Sequence, residues 1–156
     1  MVVGGGVIGV EIGSVFARLG SKVSIVEYFD SLIATMDGAL GHQLHRSLRK
    51  QGIDFYLEHK VTNATATEDK VELKAENLSD KEEMSLDGDY CLMAIGRKPY
   101  TASLGLENIG VETNEKGQIT VDKNLETNVK GVYAIGDVIR GAMLAHKASE
   151  EGVFVA

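Results

Sequence analysis

The feature that most constrains the fold is a glycine cluster at the start of the chain, Val3-Gly4-Gly5-Gly6-Val7-Ile8-Gly9. It carries Gly-x-Gly-x-x-Gly at Gly4, Gly6 and Gly9, after an apolar run and before a helical pattern. In a strand–turn–helix unit the first glycine permits a tight turn and the second lets the backbone approach a pyrophosphate. The third lets helix and strand pack closely, and the helix directs its free N–H groups at the phosphates. The pattern predicts a dinucleotide-binding βαβ unit; the alternative is a turn that binds no ligand.

A second strand-like run, Lys22–Glu27, ends in an acid about twenty residues further on, the spacing of a ribose-binding carboxylate. Such a carboxylate accepts hydrogen bonds from the ribose of NAD and repels the 2′-phosphate of NADP, whereas NADP sites place arginine nearby. Tyr28-Phe29-Asp30 follow, without arginine. Glu27 is therefore predicted to select NAD, and the alternative is a surface acid without a ligand.

Helical periodicity follows the glycines and ends at Gly20, a natural left-handed stop. The large apolar residues at 3- and 4-residue spacing predict the face that packs on the sheet: Ile8, Ile12, Val15, Phe16 and Leu19. A second helix is predicted with Asp37 as N-cap and Gly52 as stop, followed by a third strand over 53–57.

The chain then changes character. Segments 61–67, 71–75 and 84–86 are short and alternate with polar residues, which predicts an antiparallel meander in place of a crossover helix. Residues 90–95 are continuously apolar and predict a strand buried on both faces, and Pro99 marks a boundary.

Beyond Pro99, residues 119–121 and 132–135 are predicted as strands and a helix is predicted from about Leu144. The predicted fold class is α/β, a Rossmann-like parallel sheet with βαβ units and an antiparallel β-meander crossover, plus a segment of a partial second domain.

Charge and composition exclude several functions. The net charge of −7 argues against a nucleic-acid partner and against an anionic membrane surface. A single cysteine, Cys91, excludes an internal disulfide framework; its apolar setting favours a core residue over a reactive thiol. His42 and His45 lack companion ligands, so a solvated helix face is preferred to a metal pair and no metal is expected. The predicted location is cytoplasmic, with an organelle matrix as the alternative.

Both ends predict a piece of a longer protein. Met1-Val2-Val3 is shorter than a central strand, which typically has about five or six residues. Residues 148–156 resemble a helix that stops without a cap.

Five segments in order resemble the FAD-dependent pyridine-nucleotide disulfide oxidoreductases, over essentially the whole chain. They are Gly4–Glu11, the strand ending Val26-Glu27, Ala94–Pro99, Ala134–Asp137 and Met143–Ala148. Within this family, Met-Leu-Ala-His-Lys-Ala is most similar to the branch that oxidises dihydrolipoamide.

The resemblance implies an NAD-binding domain over 1–98 and an incomplete returning segment of the FAD-binding domain over 99–156. The family's Cys-x4-Cys redox pair and its His–Glu acid/base pair have no counterpart here, so no catalytic residue is assigned and the chain alone is expected to be inactive. The intact enzyme is expected to be a homodimer that acts on a lipoyl-bearing protein of a 2-oxo acid dehydrogenase complex. An NADH oxidase, a mercuric reductase or a non-catalytic NAD-binding module are the alternatives.

The resemblance also implies the cofactor-binding residues. At the glycine turn and helix start these are Gly4, Gly5, Gly6, Val7, Ile8, Gly9, Val10 and Glu11. Glu11 is expected beside the nicotinamide, the alternative being an acid that the helix dipole favours in the first turn. Val61 is expected to line the adenine, or to be an ordinary strand residue, and the backbone of Gly96 is expected beside NAD.

For FAD, the resemblance implies that Asp137 binds the ribityl chain, with a helix cap as the alternative. It also implies that Met143, Leu144, Ala145 and His146 bring a helix start to the flavin. Because this half-site is incomplete, tight flavin binding is not expected. Lys147, Glu150 and Glu151 are predicted to be helix surface.

Overall fold

The computed structural model describes all 156 residues, which form two compact units, Met1–Gly96 and Arg97–Ala156. The first unit contains, in chain order, β1 (Val2–Val3), α1 (Val7–Arg18), β2 (Ser24–Val26), α2 (Gly38–Lys50), β3 (Asp54–Tyr56), β4 (His59–Ala66), β5 (Val71–Asn77), β6 (Glu83–Gly88) and β7 (Leu92–Met93).

Two sheets organise this unit. A parallel sheet has the order β3-β2-β1-β7, with Val2 opposite Ile25 on one side and Leu92 on the other. An antiparallel sheet has the order β4-β5-β6. The predicted α/β fold class and the meander are confirmed. Because the strands of the first sheet are parallel, their carboxyl ends meet at one edge.

Both faces of the parallel sheet are covered, as alternate side chains require. On one face, Val2 and Ile25 pack with the helices and the segment before α2, including Leu32 and Leu48. On the other, Val3 and Val26 pack with meander residues such as Leu73. Leu73 is fully buried, and burial of such a side chain stabilises by about 1.5–3 kcal/mol.

The helix ends follow the sequence predictions. Asp37 caps α2 by accepting the Ala39 N–H at 2.8 Å. Gly20 and Gly52, which follow the two helices, have φ of +97° and +86°. A side chain disfavours these angles, so glycine ends each helix.

The predicted packing face of α1 is wrong. The residues buried against the sheet are Gly9, Val10 and Gly13. The predicted face is exposed instead, by 39–75% at Ile8, Ile12, Val15, Phe16 and Leu19. A Cβ on Gly13 would lie 3.2 Å from Cδ1 of Ile25, so the helix approaches the sheet through residues without side chains.

The predicted strand over 90–95 is also only partly correct. β7 spans Leu92–Met93, and it is an edge strand with no neighbour beyond it. Met93 and Ile95 are therefore 53% and 72% exposed rather than buried.

The second unit contains a short helix α3 (Leu106–Ile109), a 3-10 turn at Gly136–Val138 and the terminal helix α4 (Ala145–Val155). Its core is formed by Val111, Ile119, Ala134 and Ile139. The strands predicted at 119–121 and 132–135 are wrong, because only isolated bridges form there. The helix from about Leu144 is confirmed, since Leu144 is the residue at its N-cap. No helix of the chain is long and apolar enough to cross a lipid bilayer.

Candidate functional site

The glycine turn lies at the carboxyl edge of the parallel sheet and is held by close backbone contacts. Gly4 has φ +105° and donates its N–H to the Val26 carbonyl at 2.8 Å. A Cβ on Gly4 would lie 2.4 Å from the Ala94 oxygen, and one on Gly9 would lie 1.9 Å from the Gly4 oxygen. Both positions therefore admit only glycine, Gly4 for the tight turn and Gly9 for the close packing that the motif predicts.

Gly6 is different, because a Cβ there would meet no protein atom within 4 Å. It precedes α1 in an extended conformation and offers no capping side chain. The N–H groups of Val7, Ile8 and Gly9 consequently donate to no protein acceptor. Free N–H groups at the positive end of a helix beside an open space form a cradle that fits the oxygens of a pyrophosphate.

Glu27 follows β2 directly and is 8% exposed. One carboxylate oxygen, Oε2, accepts the N–H of Gly5, and the other, Oε1, accepts the N–H of Phe29 at 2.8 Å. No lysine, arginine or histidine forms an ion pair with Glu27. Two backbone N–H groups thus stabilise this buried carboxylate.

The segment after Glu27 folds back over the glycine turn. The N–H of Ile33 donates to the Gly5 carbonyl at 2.9 Å, and Ile33 has φ +46°, a strained value for a β-branched residue. Leu32 is 1% exposed, and its Cδ2 would lie 2.7 Å from a Cβ on Gly5. Gly5 is therefore enclosed between Glu27 and Leu32.

The other residues predicted in this unit take different places. Gly96 has φ +121° and open space around it, two residues beyond Ala94, which lies against Gly4. Val61 is half-buried in β4, two residues after His59, whose N–H donates to the Glu27 carbonyl.

Val10 and Glu11 lie further along α1. Val10 is 5% exposed in the core, and its N–H donates to the Gly6 carbonyl, which leaves it a packing role. Glu11 is exposed and lies beyond the first turn of the helix, where it borders an apolar cavity of about 280 Å³ that also touches Ser14 and Met36.

In the second unit, Asp137 lies in the 3-10 turn and forms an ion pair with Arg97. Both side chains are partly exposed, Asp137 by 31% and Arg97 by 54%. Gly136, just before it, has φ +73°. The sequence predicts no ion-pair partner for Asp137, because Arg97 lies 40 residues away along the chain.

The prediction that Lys147 and Glu151 are helix surface is wrong. Glu151 accepts the N–H of Gly136 at 2.8 Å and pairs with Lys147, and its side chain is only 16% exposed. The hydrogen bond from Lys147 and that from the Gly136 N–H lower the pKa of the Glu151 carboxyl. This pair fixes the turn that carries Asp137; the opposite charges four residues apart were the only signal in the sequence.

The start of α4 is open. Met143 is half-buried, and Leu144, Ala145 and His146 are exposed. No side chain caps the helix at Leu144. The free N–H groups at this end fit a negatively charged or polar group of a ligand.

Two further residues, His45 and Cys91, are partly buried. His45 is not on a solvated face, because its ring packs edge-on against Phe55, 4.7 Å between centroids, and its Nε2 is buried without a partner. Burial, together with Arg49 and His42, lowers the pKa of His45.

No group of three or more histidine, cysteine, aspartate or glutamate side chains could hold a metal. Cys91 is half-buried, and burial raises the pKa of its thiol.

A family model described as pyridine nucleotide-disulphide oxidoreductase matches residues 1–152. The chain is 47% identical to a mitochondrial dihydrolipoyl dehydrogenase of Pisum sativum, over 98% of this chain and 30% of that protein. It is equally 47% identical to a leghemoglobin reductase of Glycine max, over 98% of this chain and 29% of that protein. The chain thus spans about a third of the length of the curated relatives it matches.

Solved structures are similar to this chain in both fold and sequence. A HOCl-induced flavoprotein disulfide reductase, RclA from Escherichia coli, solved as a Cu(II) complex, has a TM-score of 0.87 and 36% identity. The match covers 99% of this chain and 34% of that one.

Proposed function

Because the chain belongs to the pyridine nucleotide-disulphide oxidoreductase family, we propose that residues 1–98 bind NAD(H) and that residues 99–156 contribute part of an FAD site. The intact enzyme is proposed to oxidise dihydrolipoamide with NAD. The observation that carries the proposal is the open cradle at Gly6, with free N–H groups on Val7 and Ile8.

In this proposal the predicted site residues of the first unit bind the nucleotide, except Val10, which packs in the core. The turn from Gly4 to Gly9 receives the pyrophosphate, and Glu27 accepts hydrogen bonds from the adenosine ribose. Val61 lies toward the adenine, Ile8 and Glu11 toward the nicotinamide, and Gly96 lends its backbone. Glu27 disfavours the 2′-phosphate of NADP by charge, so the nucleotide is NAD.

In the second unit, Asp137 is proposed to bind the ribityl chain, and the start of α4 at Met143–His146 to face the flavin. When bound, FAD and NAD would supply hydride-transfer chemistry. The contribution of this chain is position: it holds the two cofactors by hydrogen bonds and supplies no redox cysteine. Arg97 and Glu151 support the proposal by fixing Asp137 and its turn.

Relatives named dihydrolipoyl dehydrogenase support a dihydrolipoyl substrate for the intact protein. As the family resemblance implies, we propose that the intact protein is a homodimer that acts on a lipoyl-bearing protein of a 2-oxo acid dehydrogenase complex. Cytoplasm or an organelle matrix is the proposed location, since mitochondrial and bacterial relatives both occur.

The experiment that tests the proposal is a titration of this chain with NADH at fixed salt, followed by nicotinamide fluorescence. We expect saturable binding, with NADPH weaker by at least about tenfold. Gly6→Ala fills the cradle with one methyl group and is expected to weaken NADH by at least about tenfold. Gly38→Ala is the matched control, because a Cβ there also meets nothing within 4 Å, in α2. Absence of NADH binding, or equal binding by Gly6→Ala, would refute the proposed site.

A further inference from the structure

We propose that Glu27 is also the positioning residue of the glycine turn, so that one carboxylate both recognises the ribose and fixes the pyrophosphate cradle. This rests on the proposed NAD(H) site and extends it. The group that sets cofactor preference then also sets how well any pyrophosphate binds.

The first step is the location of the charge. Glu27 is 8% exposed and has no cationic partner, so backbone N–H groups alone compensate its carboxylate. A buried carboxylate left without hydrogen bonds is strongly unfavourable, so these contacts are firmly held. Oε2 binds the N–H of Gly5 and Oε1 that of Phe29.

The second step is what these two N–H groups control. Gly5 directly precedes Gly6 and the free N–H groups of Val7 and Ile8. The orientation of the Gly5 peptide group therefore sets the direction of those N–H groups. Phe29 begins the segment that returns to Gly5, where the N–H of Ile33 donates to the Gly5 carbonyl. The Glu27 side chain therefore holds both the Gly5 peptide and the start of the segment that packs against Gly5.

The third step is that ribose binding and turn fixation are compatible. A carboxylate offers about four lone-pair positions, and two of those on Glu27 are used by backbone. Two remain for ribose hydroxyls, which would add to the existing bonds without displacing them.

The inference predicts an effect opposite in sign to simple electrostatics. Removing a negative charge beside an anion site strengthens anion binding if the charge only repels. Glu27→Gln keeps the shape of the side chain but presents an NH₂ group to one of the two backbone donors, Gly5 or Phe29. The hydrogen bond to that donor is lost, and the turn is held less firmly. Pyrophosphate should then bind more weakly despite the lost charge.

The test uses inorganic pyrophosphate, which has no ribose, titrated directly into each chain by isothermal calorimetry so that the readout does not depend on NADH binding. We expect Glu27→Gln to weaken pyrophosphate binding by at least about threefold. This is part of the contribution expected of one hydrogen bond to a charged group. Asp30→Asn is the matched control: it removes an exposed acidic charge three residues away that has no contact with Gly5, so pyrophosphate should bind as well or more tightly.

A second measurement does not depend on the variants. Amide hydrogen exchange of the wild-type chain should show Gly5 and Phe29 protected, because both donate to Glu27. Unprotected exchange at Gly5 would overturn the inference, as would unchanged or tighter pyrophosphate binding by Glu27→Gln. Either result with normal NADH binding leaves the proposed function standing, whereas a wild-type chain that binds neither NADH nor pyrophosphate refutes both.

Discussion

The contact between Gly9 and the Gly4 carbonyl yields the sharpest stability prediction. A Cβ introduced by Gly9→Ala would lie 1.9 Å from the Gly4 oxygen, against the 3.0 Å below which such contacts essentially do not occur. It would also lie 3.1 Å from the Gly4 carbonyl carbon. Both atoms belong to the backbone of a turn that β2 and β7 hold in place, so no side chain can rotate away.

The expected cost follows from these contacts. Overpacking of a well-packed site costs about 1–3 kcal/mol, and backbone atoms place Gly9→Ala in the upper part of this range. Alanine recovers up to about 1 kcal/mol of helix propensity over glycine. We expect a net loss of about 2 kcal/mol in the free energy of unfolding, which lowers the melting temperature by roughly 4–8 °C in a chain of this size.

The assay is urea unfolding followed by circular dichroism, with Gly6→Ala as the control. Gly6 is the central glycine of the same motif, and a Cβ introduced there would meet no atom within 4 Å. Its stability should change by no more than about 1 kcal/mol, the typical scale of an N-cap effect, since Gly6 is the N-cap of α1. Equal stability of the two variants would refute the reasoning, because it would show that the turn yields to a Cβ at Gly9.

Three further predictions concern other parts of the chain. Asp37→Ala removes the N-cap of α2 and should lower the free energy of unfolding by about 1 kcal/mol in urea, whereas Asp37→Asn should recover most of it. The pKa of the Glu151 carboxyl is lowered, so its stabilisation of the Gly136 turn should be complete above pH of about 4.3 and lost as pH falls through the lower folded value. Exchange protection of the Gly136 amide measures this, and Glu151→Gln should remove the pH dependence. Burial raises the pKa of the Cys91 thiol, so a thiol reagent should modify it more slowly at pH 7 than in urea-unfolded chain, and equal rates would contradict this.

The glycine turn could be predicted from sequence because its requirements are stereochemical and local. Gly4 and Gly9 stand where the backbone itself leaves no room for a Cβ, and the spacing of the motif records this. The end of the second strand at Glu27 was predictable for the same reason, since a strand, a helix and a strand fix its distance from the turn.

The packing of α1 could not be predicted from hydrophobic periodicity. A stripe of large apolar residues usually marks the buried face, but here Gly9 and Gly13 make the contact because absent side chains permit the closest approach. Glycine contributes nothing to an apolar stripe. Hydrophobic periodicity therefore predicts the exposed face of α1, and not the glycine face, as the buried one.

Contacts between distant residues explain the remaining differences. The bond from the Gly136 N–H to Glu151 joins residues 15 apart in sequence, and only the folded position of α4 reveals it. Ile119 and Tyr133 have strand-like neighbours, but their partners pair at single bridges rather than along ladders. Local pattern gives strand propensity and does not supply a partner.

The outward face of α1 sets the handling of this chain. Phe16 and Leu19 are 52% and 75% exposed and belong to an exposed apolar patch along one helix. We therefore expect concentrated preparations to self-associate through it. Charged replacements at Phe16 and Leu19 would improve dispersal while sparing nucleotide chemistry, because both positions lie at least two helical turns beyond Ile8, at the far end of the helix. Solubility and cofactor recognition are thus separable along a single helix.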